Sequence, residues 1–293
     1  MATELDIAYR HCQRIAKEHA KNFYYAFRIL PSRKRDAIYA AYAFCRYCDD
    51  IADGPRPLDE KRRLLEETRT LLARSLDGGE TEDPVFAALS DAADVFGIPA
   101  RYLQDVIAGV EMDLTRDRYS NFDELRDYCY GVASVVGLIC IEVFEYTDPA
   151  AREHAVDIGL AMQLTNIMRD IKEDAQRGRI YIPLDEIVSF GYSEQELLEG
   201  SVTEAFRELM GLQASRARGY FESGKRLMPL LSPESRACPA ALVGVYGTIL
   251  NRIEASGFEV FEKRVGLSTA EKLLITAKLW AGSLIPAIPL PRK

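Results

Sequence analysis

Hydrophobic residues along this chain recur mostly at the three-to-four-residue spacing of helices, in segments of about 15 to 27 residues. Two kinds of helix start can be read from the sequence. Asp83-Pro84 and Asp148-Pro149 each place a capping acid before a proline, and Asn121 with Glu124, and Ser268 with Glu271, have capping-box spacing. Further breaks, typical of helix ends, fall at Pro31, Gly54 to Pro57, Asp77 to Gly79, Gly97 to Pro99, Gly191 and Ser232-Pro233.

Strand patterns are nearly absent. The one β-leaning stretch is Arg179 to Ile182, which Pro183 stops, and we predict a loop or short flap between helices there. No linker, composition shift or repeat divides the chain. The pattern therefore predicts an all-α fold, with residues 1–293 forming a single domain.

Two of the predicted helices carry matching polar stripes. Residues 37–53 are strongly apolar, and at 3.6 residues per turn one face presents Tyr42, Arg46, Asp49 and Asp53. The second helix repeats the arrangement with Gln163, Asn166, Asp170 and Asp174. Most single pairs of this kind belong to solvated helix faces. Here, however, like charges four residues apart destabilise a helix, and the flanking residues are aromatic, aliphatic or sulfur-containing.

The stripes are therefore predicted to face an interior cavity. Buried carboxylates need a counter-charge, and four together indicate a divalent cation. Carboxylate and amide oxygens are ligands suited to Mg²⁺, which typically retains waters and takes substrate phosphate oxygens as well. Zinc is disfavoured because the chain has three histidines and Cys45-x-x-Cys48 has no second pair at ligand spacing.

Composition narrows the function classes. The chain is 48% hydrophobic and 28% charged, which excludes disorder, and 45 acids against 37 basic residues give a net charge of −8, which argues against a nucleic-acid partner. Six cysteines without a secretory leader favour a reduced, cytoplasmic protein. No segment is expected to be apolar for long enough to cross a bilayer, although peripheral contact at the inner membrane stays open.

Three extended motifs, in this order, resemble the squalene/phytoene synthase family. They are Tyr42 to Asp53 (YAFCRYCDDIAD), Asp127 to Gly137 (DYCYGVASVVG) and Gln163 to Asp174 (QLTNIMRDIKED). The resemblance runs from His19 to about Lys272, and a further match covers Phe258 to Arg264. Members are all-α isoprenoid synthases with a central cavity, and they join two prenyl diphosphates head to head.

The resemblance implies roles for particular residues. Two or three Mg²⁺ ions would be held by Asp49, Asp53, Asn166, Asp170 and Asp174. The acids and two tyrosines near the reacting carbons, Tyr42 and Tyr128, would be catalytic. Diphosphate would be bound by His19, Lys21, Asn22, Arg46, Gln163, Arg169, Arg179, Tyr181 and Arg264. A hydrocarbon tunnel would be lined by Phe23, Phe27, Ala133 and Gly137. Ala20 and Asn22 replace serines that are common in the family, which alters one phosphate contact.

The same resemblance favours a particular product. The short chain and its Arg46 to Asp50 run look most like bacterial hopanoid-pathway enzymes, which convert two farnesyl diphosphates to presqualene diphosphate. NADPH would be needed only if the reaction proceeds to squalene. The alternative is a phytoene synthase that condenses two geranylgeranyl diphosphates. A class I terpene cyclase and a catalytically inactive helical scaffold are less favoured, and the oligomeric state is open.

Overall fold

The computed structural model describes residues 3–20 and 23–283. Lys21 and Asn22, two of the expected diphosphate contacts, lie outside the described residues. The helices are α1 (Glu4–His19), α2 (Tyr24–Phe27), α3 (Ser32–Asp53), α4 (Leu58–Leu76), α5 (Pro84–Phe96), α6 (Ala100–Met112), α7 (Phe122–Cys129), α8 (Val135–Phe144), α9 (Ala151–Gln176), α10 (Leu184–Ser189), α11 (Glu194–Glu199), α12 (Glu204–Gly224), α13 (Ala237–Ala255) and α14 (Thr269–Ser283). The prediction of an all-α fold is confirmed.

Three of the predicted helix starts are confirmed in atomic detail. The Asp83 carboxylate caps α5 by accepting the Val85 amide at 2.8 Å. The Asn121 side chain caps α7. At the start of α14, Ser268 and Glu271 exchange the two hydrogen bonds of a capping box, at 2.8 and 3.3 Å. Local side-chain chemistry thus fixes where these helices begin.

The fourth start is displaced. The Asp148 carboxylate accepts the Ala150 amide at 2.9 Å, which caps a turn, and α9 begins two residues after the predicted proline, at Ala151. The predicted flap is confirmed as a non-helical connection between α9 and α10. Its Ile180 forms an isolated bridge to Arg118, and this bridge brings the flap against the loop before α7.

A five-residue π-helical turn, Tyr130–Ser134, joins α7 to α8. The hydrogen-bond shift in such a turn changes the direction of side chains, and π-turns are frequent at functional sites. Here it places Val132 and Ala133 on the wall of a central cavity. Opposite this turn, a Cβ on Gly159 of α9 would lie 2.4 Å from the Ser134 Cα, so glycine is required where the two backbones meet.

The glycines inside the DYCYGVASVVG motif have different roles. A Cβ on Gly131 would lie 3.0 Å from the Cα of Gly109 in α6, so Gly131 serves close helix packing. Gly137 both approaches the Ala155 carbonyl, at 2.9 Å from its ideal Cβ, and lines the cavity. The sequence alone makes close packing and space for a hydrocarbon chain equally plausible reasons for these glycines. In the structure Gly131 serves packing, whereas Gly137 serves both.

The expectation that no segment is long and apolar enough to cross a membrane is wrong by that criterion. The continuous helical run Phe122–Phe144 satisfies it, and 56% of its most apolar window is buried inside the fold. Because α8 packs against α3, α6 and α9, its apolarity is accounted for by core packing and by the cavity wall.

Candidate active site

A cavity of about 320 Å³ lies between α3, the π-turn with α8, α9 and α13. All four residues expected in the hydrocarbon tunnel line it: Phe23, Phe27, Ala133 and Gly137. The remaining wall is mostly aliphatic and aromatic, with Ile38, Ala41, Tyr42, Cys45, Val132, Val136, Cys140, Ile141, Phe144, Ala155, Ile158, Gly159, Met162, Leu227, Pro239, Leu242 and Tyr246. Such a wall suits a long hydrocarbon and excludes water.

The polar lining residues mark one end of this cavity. Asp49 lies near the C-terminal end of α3, and Gln163 and Asn166 lie near the middle of α9. From Asp49 back to Ile38, the cavity follows α3 for 11 residues, or about 16 Å at 1.5 Å per residue. A deep apolar pocket with a polar mouth results.

Charge repulsion and burial together raise the pKa values of two carboxyl groups in the acidic stripes. Burial, reinforced by the neighbouring Asp53, raises the pKa of Asp49 to about 7. Burial, reinforced by Asp170, raises the pKa of Asp174 to about 7 in the same way. Asp49 is nevertheless an exposed residue, so water screens part of this effect. In both stripes, therefore, the protein alone does not fully stabilise the ionised form of the carboxylates.

Two arginines neutralise one member of the second stripe. Arg169, itself buried, donates to both oxygens of Asp170 at 2.8 and 2.5 Å, and Arg264 does so at 2.7 and 3.0 Å. Although burial opposes it, these hydrogen bonds hold the pKa of Asp170 below its ordinary value. Two of the predicted diphosphate-binding cations thus lie against a predicted metal ligand.

Further cations bridge the two stripes. Arg177 and Arg179, which follow α9, lie 3.9 and 3.8 Å from the Asp53 carboxylate. Arg46 forms an ion pair with Asp50, four residues along its helix.

The placement of His19 is less informative. Its ring is half-exposed at the end of α1 and lies 4.0 Å from the Glu18 carboxylate. The neighbouring Ala20 is buried. His19 thus ends the helix that leads to residues 21 and 22, which lie outside the described part of the chain.

A buried cluster of tyrosines and one acid lies beside the mouth. The Tyr181 hydroxyl donates to Asp113 Oδ1 at 2.9 Å, and the Tyr128 hydroxyl donates to Asp113 Oδ2 at 3.2 Å. The rings of Tyr128 and Tyr181 stack at 5.0 Å, with Tyr119 packed against both. Tyr128 is therefore placed behind the cavity, whereas Tyr42 lines it.

Asp113 is the residue that sequence reasoning missed. Burial, opposed by Arg179 and by the two hydroxyl donors, raises its pKa. It lies within electrostatic reach of Asp49, Asp53 and Asp174, so it stands between the two stripes. A single acid just after a helix resembles an ordinary helix end, and no spacing rule would have selected it.

The donor set fits a hard divalent cation. The side-chain oxygen of Asn166 is buried without a hydrogen-bond partner, while its amide group donates to Gln163 at 3.3 Å. Within residues 3–20 and 23–283, no three His, Cys, Asp or Glu side chains converge closely enough to form a cation site on their own. Because Mg²⁺ usually takes one or two carboxylates together with waters and substrate phosphates, an open donor set of this kind is what it requires.

An all-α bundle whose two acidic stripes flank the mouth of a deep apolar cavity is the arrangement of an isoprenoid synthase. The sequence profile of squalene/phytoene synthases matches residues 16–271. The chain belongs to the squalene/phytoene synthase family, and it is a prenyltransferase that condenses prenyl diphosphates head to head.

Relatives and solved structures agree with this assignment. The chain is 38% identical over 286 residues to a phytoene synthase from Arthrospira platensis, covering 93% of this chain and 92% of the relative. It is 36% identical to the chloroplastic phytoene synthase 2 of Solanum lycopersicum, covering 96% and 93%. A dehydrosqualene synthase structure superposes with a TM-score of 0.88 at 30% identity, covering 95% and 97%. A squalene synthase from Alicyclobacillus acidocaldarius gives 0.82 at 27%, covering 87% and 96%.

Proposed function

We propose that this protein is a phytoene synthase, which joins two geranylgeranyl diphosphates and releases two diphosphates. The observation that carries the proposal is the set of phytoene synthases at 36–38% identity along nearly the whole chain. Farnesyl diphosphate as substrate, with presqualene diphosphate as product, has weaker support because the dehydrosqualene synthase and squalene synthase structures are less similar, at 30% and 27% identity. The proposed reaction ends in proton loss, so it balances without NADPH.

Asp49, Asp53, Asn166, Asp170 and Asp174 are the residues that would hold Mg²⁺. Their support is chemical, since all five present oxygen donors, and electrostatic, since the pKa values of Asp49 and Asp174 are raised by burial and like charge. When bound, the metal would withdraw electrons from the diphosphate and so favour cleavage of the allylic C–O bond.

The protein's own cations would complete the diphosphate site. Arg179 and Arg264 border the acidic stripes, and Gln163 lies at the cavity mouth. In the free protein Arg264 is paired with Asp170. We infer that this arginine would donate to the substrate diphosphate, which would leave the Asp170 carboxylate free to hold the metal. Arg169, buried against Asp170, would hold the carboxylate in orientation and have less direct contact with substrate.

The cavity would protect the allylic cation. Phe23 packs against Tyr42 and Tyr246, with ring centroids 6.5 and 5.9 Å away. Aromatic faces attract cations, and they add no nucleophile that could capture one. Burial raises the pKa of Tyr42 to about 12, so its hydroxyl remains protonated during turnover. Beside the mouth, the Asp113–Tyr128–Tyr181 cluster offers a hydrogen-bonded route along which the final proton could leave.

The decisive experiment is mass spectrometry of products from geranylgeranyl and farnesyl diphosphate, each with Mg²⁺ and with or without NADPH. A C40 hydrocarbon from the C20 substrate, formed equally well without NADPH, is the expected result. Turnover confined to farnesyl diphosphate would refute the proposal and favour the alternative in which two farnesyl diphosphates are condensed. A lack of diphosphate release from both substrates would also contradict it.

A further inference from the structure

One buried cation lies at the opposite end of the cavity from the acidic stripes. Lys34, in the first turn of α3, is 5% exposed. Its ammonium lies 2.7 Å from the Glu145 carboxylate and 2.9 Å from that of Glu234. It also donates to the Ser232 hydroxyl at 2.9 Å and to the Ser235 hydroxyl at 3.2 Å. An ammonium buried this deeply needs such partners, because leaving a buried charge unpaired is costly.

The node formed by Lys34, Glu145, Ser232, Glu234 and Ser235, hereafter the Lys34 node, joins three separate parts of the chain. These are the start of α3, the end of α8 and the segment before α13. The Phe144 carbonyl strengthens the connection, because it accepts from Lys34 at 3.3 Å and from Ser232 at 2.7 Å. Removing the ammonium would therefore untie the start of α3 from the other two segments, which remain joined to each other through Ser232.

Each segment joined by the node also supplies wall to the inner end of the cavity. Ile38 lies one helical turn after Lys34, Pro239 lies four residues after Ser235, and Phe144, whose carbonyl is bonded to the node, is part of the wall. Phe144, Ile38 and Pro239 are buried, so this end of the cavity is closed. Both carboxylates of the node are more than half exposed. The node thus separates the inner end of the cavity from solvent.

The backbone at this end is under strain that the node helps to hold. Glu145 adopts φ 60° and ψ 137°, a region that a residue with a Cβ rarely occupies. Its carbonyl accepts the Ser232 amide at 2.9 Å, and its carboxylate is held by Lys34. A strained residue persists only where its surroundings fix it, so this end wall depends on the node.

We infer that Lys34 sets the maximum length of the prenyl chain that the enzyme accepts, by fixing the end wall of the cavity. The inference rests on the proposed function, since it assigns the cavity to the hydrocarbon chain of the substrate. Lys34 acts through Phe144 and the other wall residues, so it is a positioning residue. A chain one isoprene unit longer than the natural substrate would have to displace this wall.

The test compares substrates of increasing length on purified protein with Mg²⁺. Diphosphate release gives kcat/KM for farnesyl, geranylgeranyl and geranylfarnesyl diphosphate, which have 15, 20 and 25 carbons. In Lys34→Met, which keeps an apolar stem without the charge, the C25:C20 ratio of kcat/KM is expected to rise by about tenfold or more. Lys34→Arg, which preserves a cation, should leave the ratio within about twofold of the wild type because the segments remain tied.

A matched control separates this role from general destabilisation. Arg216 forms a partly buried ion pair with Glu186, at 2.6 Å, away from the cavity. Arg216→Met is expected to lower the Tm while leaving the C25:C20 ratio unchanged. An unchanged ratio in Lys34→Met would overturn the inference.

Two exposed positions provide a second variant if Lys34→Met does not fold. Glu145→Gln with Glu234→Gln weakens the node from its solvent side, and a smaller rise in the ratio is expected. No rise in this folded variant would also overturn the inference. The proposed function and the role of Lys34 can fail separately. If the wild type prefers farnesyl diphosphate, the proposed function fails. The role of Lys34 is then tested by the C20:C15 ratio of kcat/KM, which should rise in Lys34→Met.

Discussion

Replacing Asp174 by Asn should make the metal-free protein more stable and the enzyme much less active. The substitution keeps the shape of the side chain and removes its charge. Burial, with repulsion from Asp170, raises the pKa of Asp174 from 3.8 to about 7. Because the folded pKa is higher than the unfolded one, the stability linked to this group is fully present below about pH 4 and is lost as the pH rises through 7. The asparagine variant avoids that loss.

The size of the effect follows from the shift. Three pKa units at 1.36 kcal/mol each give an upper limit of about 4 kcal/mol at pH 8. Asp174 is only partly buried, so solvent and local relaxation reduce this to about 1–3 kcal/mol. For a chain of this length, such a gain corresponds to a Tm increase of about 2–8 °C. Turnover with Mg²⁺ should fall by about two orders of magnitude or more, because a metal-binding carboxylate is lost.

Thermal unfolding in EDTA at pH 5 and pH 8, beside diphosphate release with Mg²⁺, measures both effects. Glu153→Gln is the control, since Glu153 is an exposed acid on the same helix, and it should give no stabilisation. The gain for Asp174→Asn should be larger at pH 8 than at pH 5. Equal gains at the two pH values, or none at pH 8, would show that charge burial is not the cause. Wild-type turnover would remove Asp174 from the metal site.

Four further predictions test the site and its packing. EDTA should abolish diphosphate release and added Mg²⁺ should restore it, whereas activity that persists in chelator would contradict metal dependence. Asp49→Asn and Asp53→Asn should each lower kcat by about two orders of magnitude without loss of fold, as checked by circular dichroism; unchanged kcat would exclude the residue concerned from metal binding. Asp113→Asn should lower kcat more than it raises KM for the prenyl diphosphate, and an effect on KM alone would argue against a role in the chemistry. Gly159→Ala should destabilise the protein by about 1–3 kcal/mol in chemical denaturation, because its Cβ would lie 2.4 Å from Ser134; an unchanged midpoint would show that α9 can shift.

Local sequence patterns predicted several helix starts and several of the residues that line the cavity. Short-range chemistry placed the helix starts at Asp83, Asn121 and Ser268, because a capping side chain acts on amides only two or three residues away. Helical periodicity placed Asp49 and Asn166 on faces that do line the cavity. The four expected tunnel residues line it as well. That residues 1–293 form a single domain stays a prediction.

Other features depend on contacts that sequence spacing does not encode. Asp113 is far along the chain from both acidic stripes, and only the packing of α6 against its neighbours puts it between them. The partner of Arg264 is Asp170, 94 residues away. The family resemblance placed Tyr42 and Tyr128 alike near the reacting carbons, whereas the fold puts Tyr42 on the cavity wall and Tyr128 behind it.

The sequence by itself determined the helical class, the two acidic stripes and the family, since these depend on periodicity and on residue order within single segments. The tertiary structure decided which acids are neutralised by arginines, which glycines serve packing, and where the cavity ends. The Lys34 node illustrates the difference, because its members lie up to 201 residues apart and meet only when α3, α8 and α13 have packed. Periodicity carries information over a few turns of one helix, whereas the depth of a cavity depends on the ends of several helices at once.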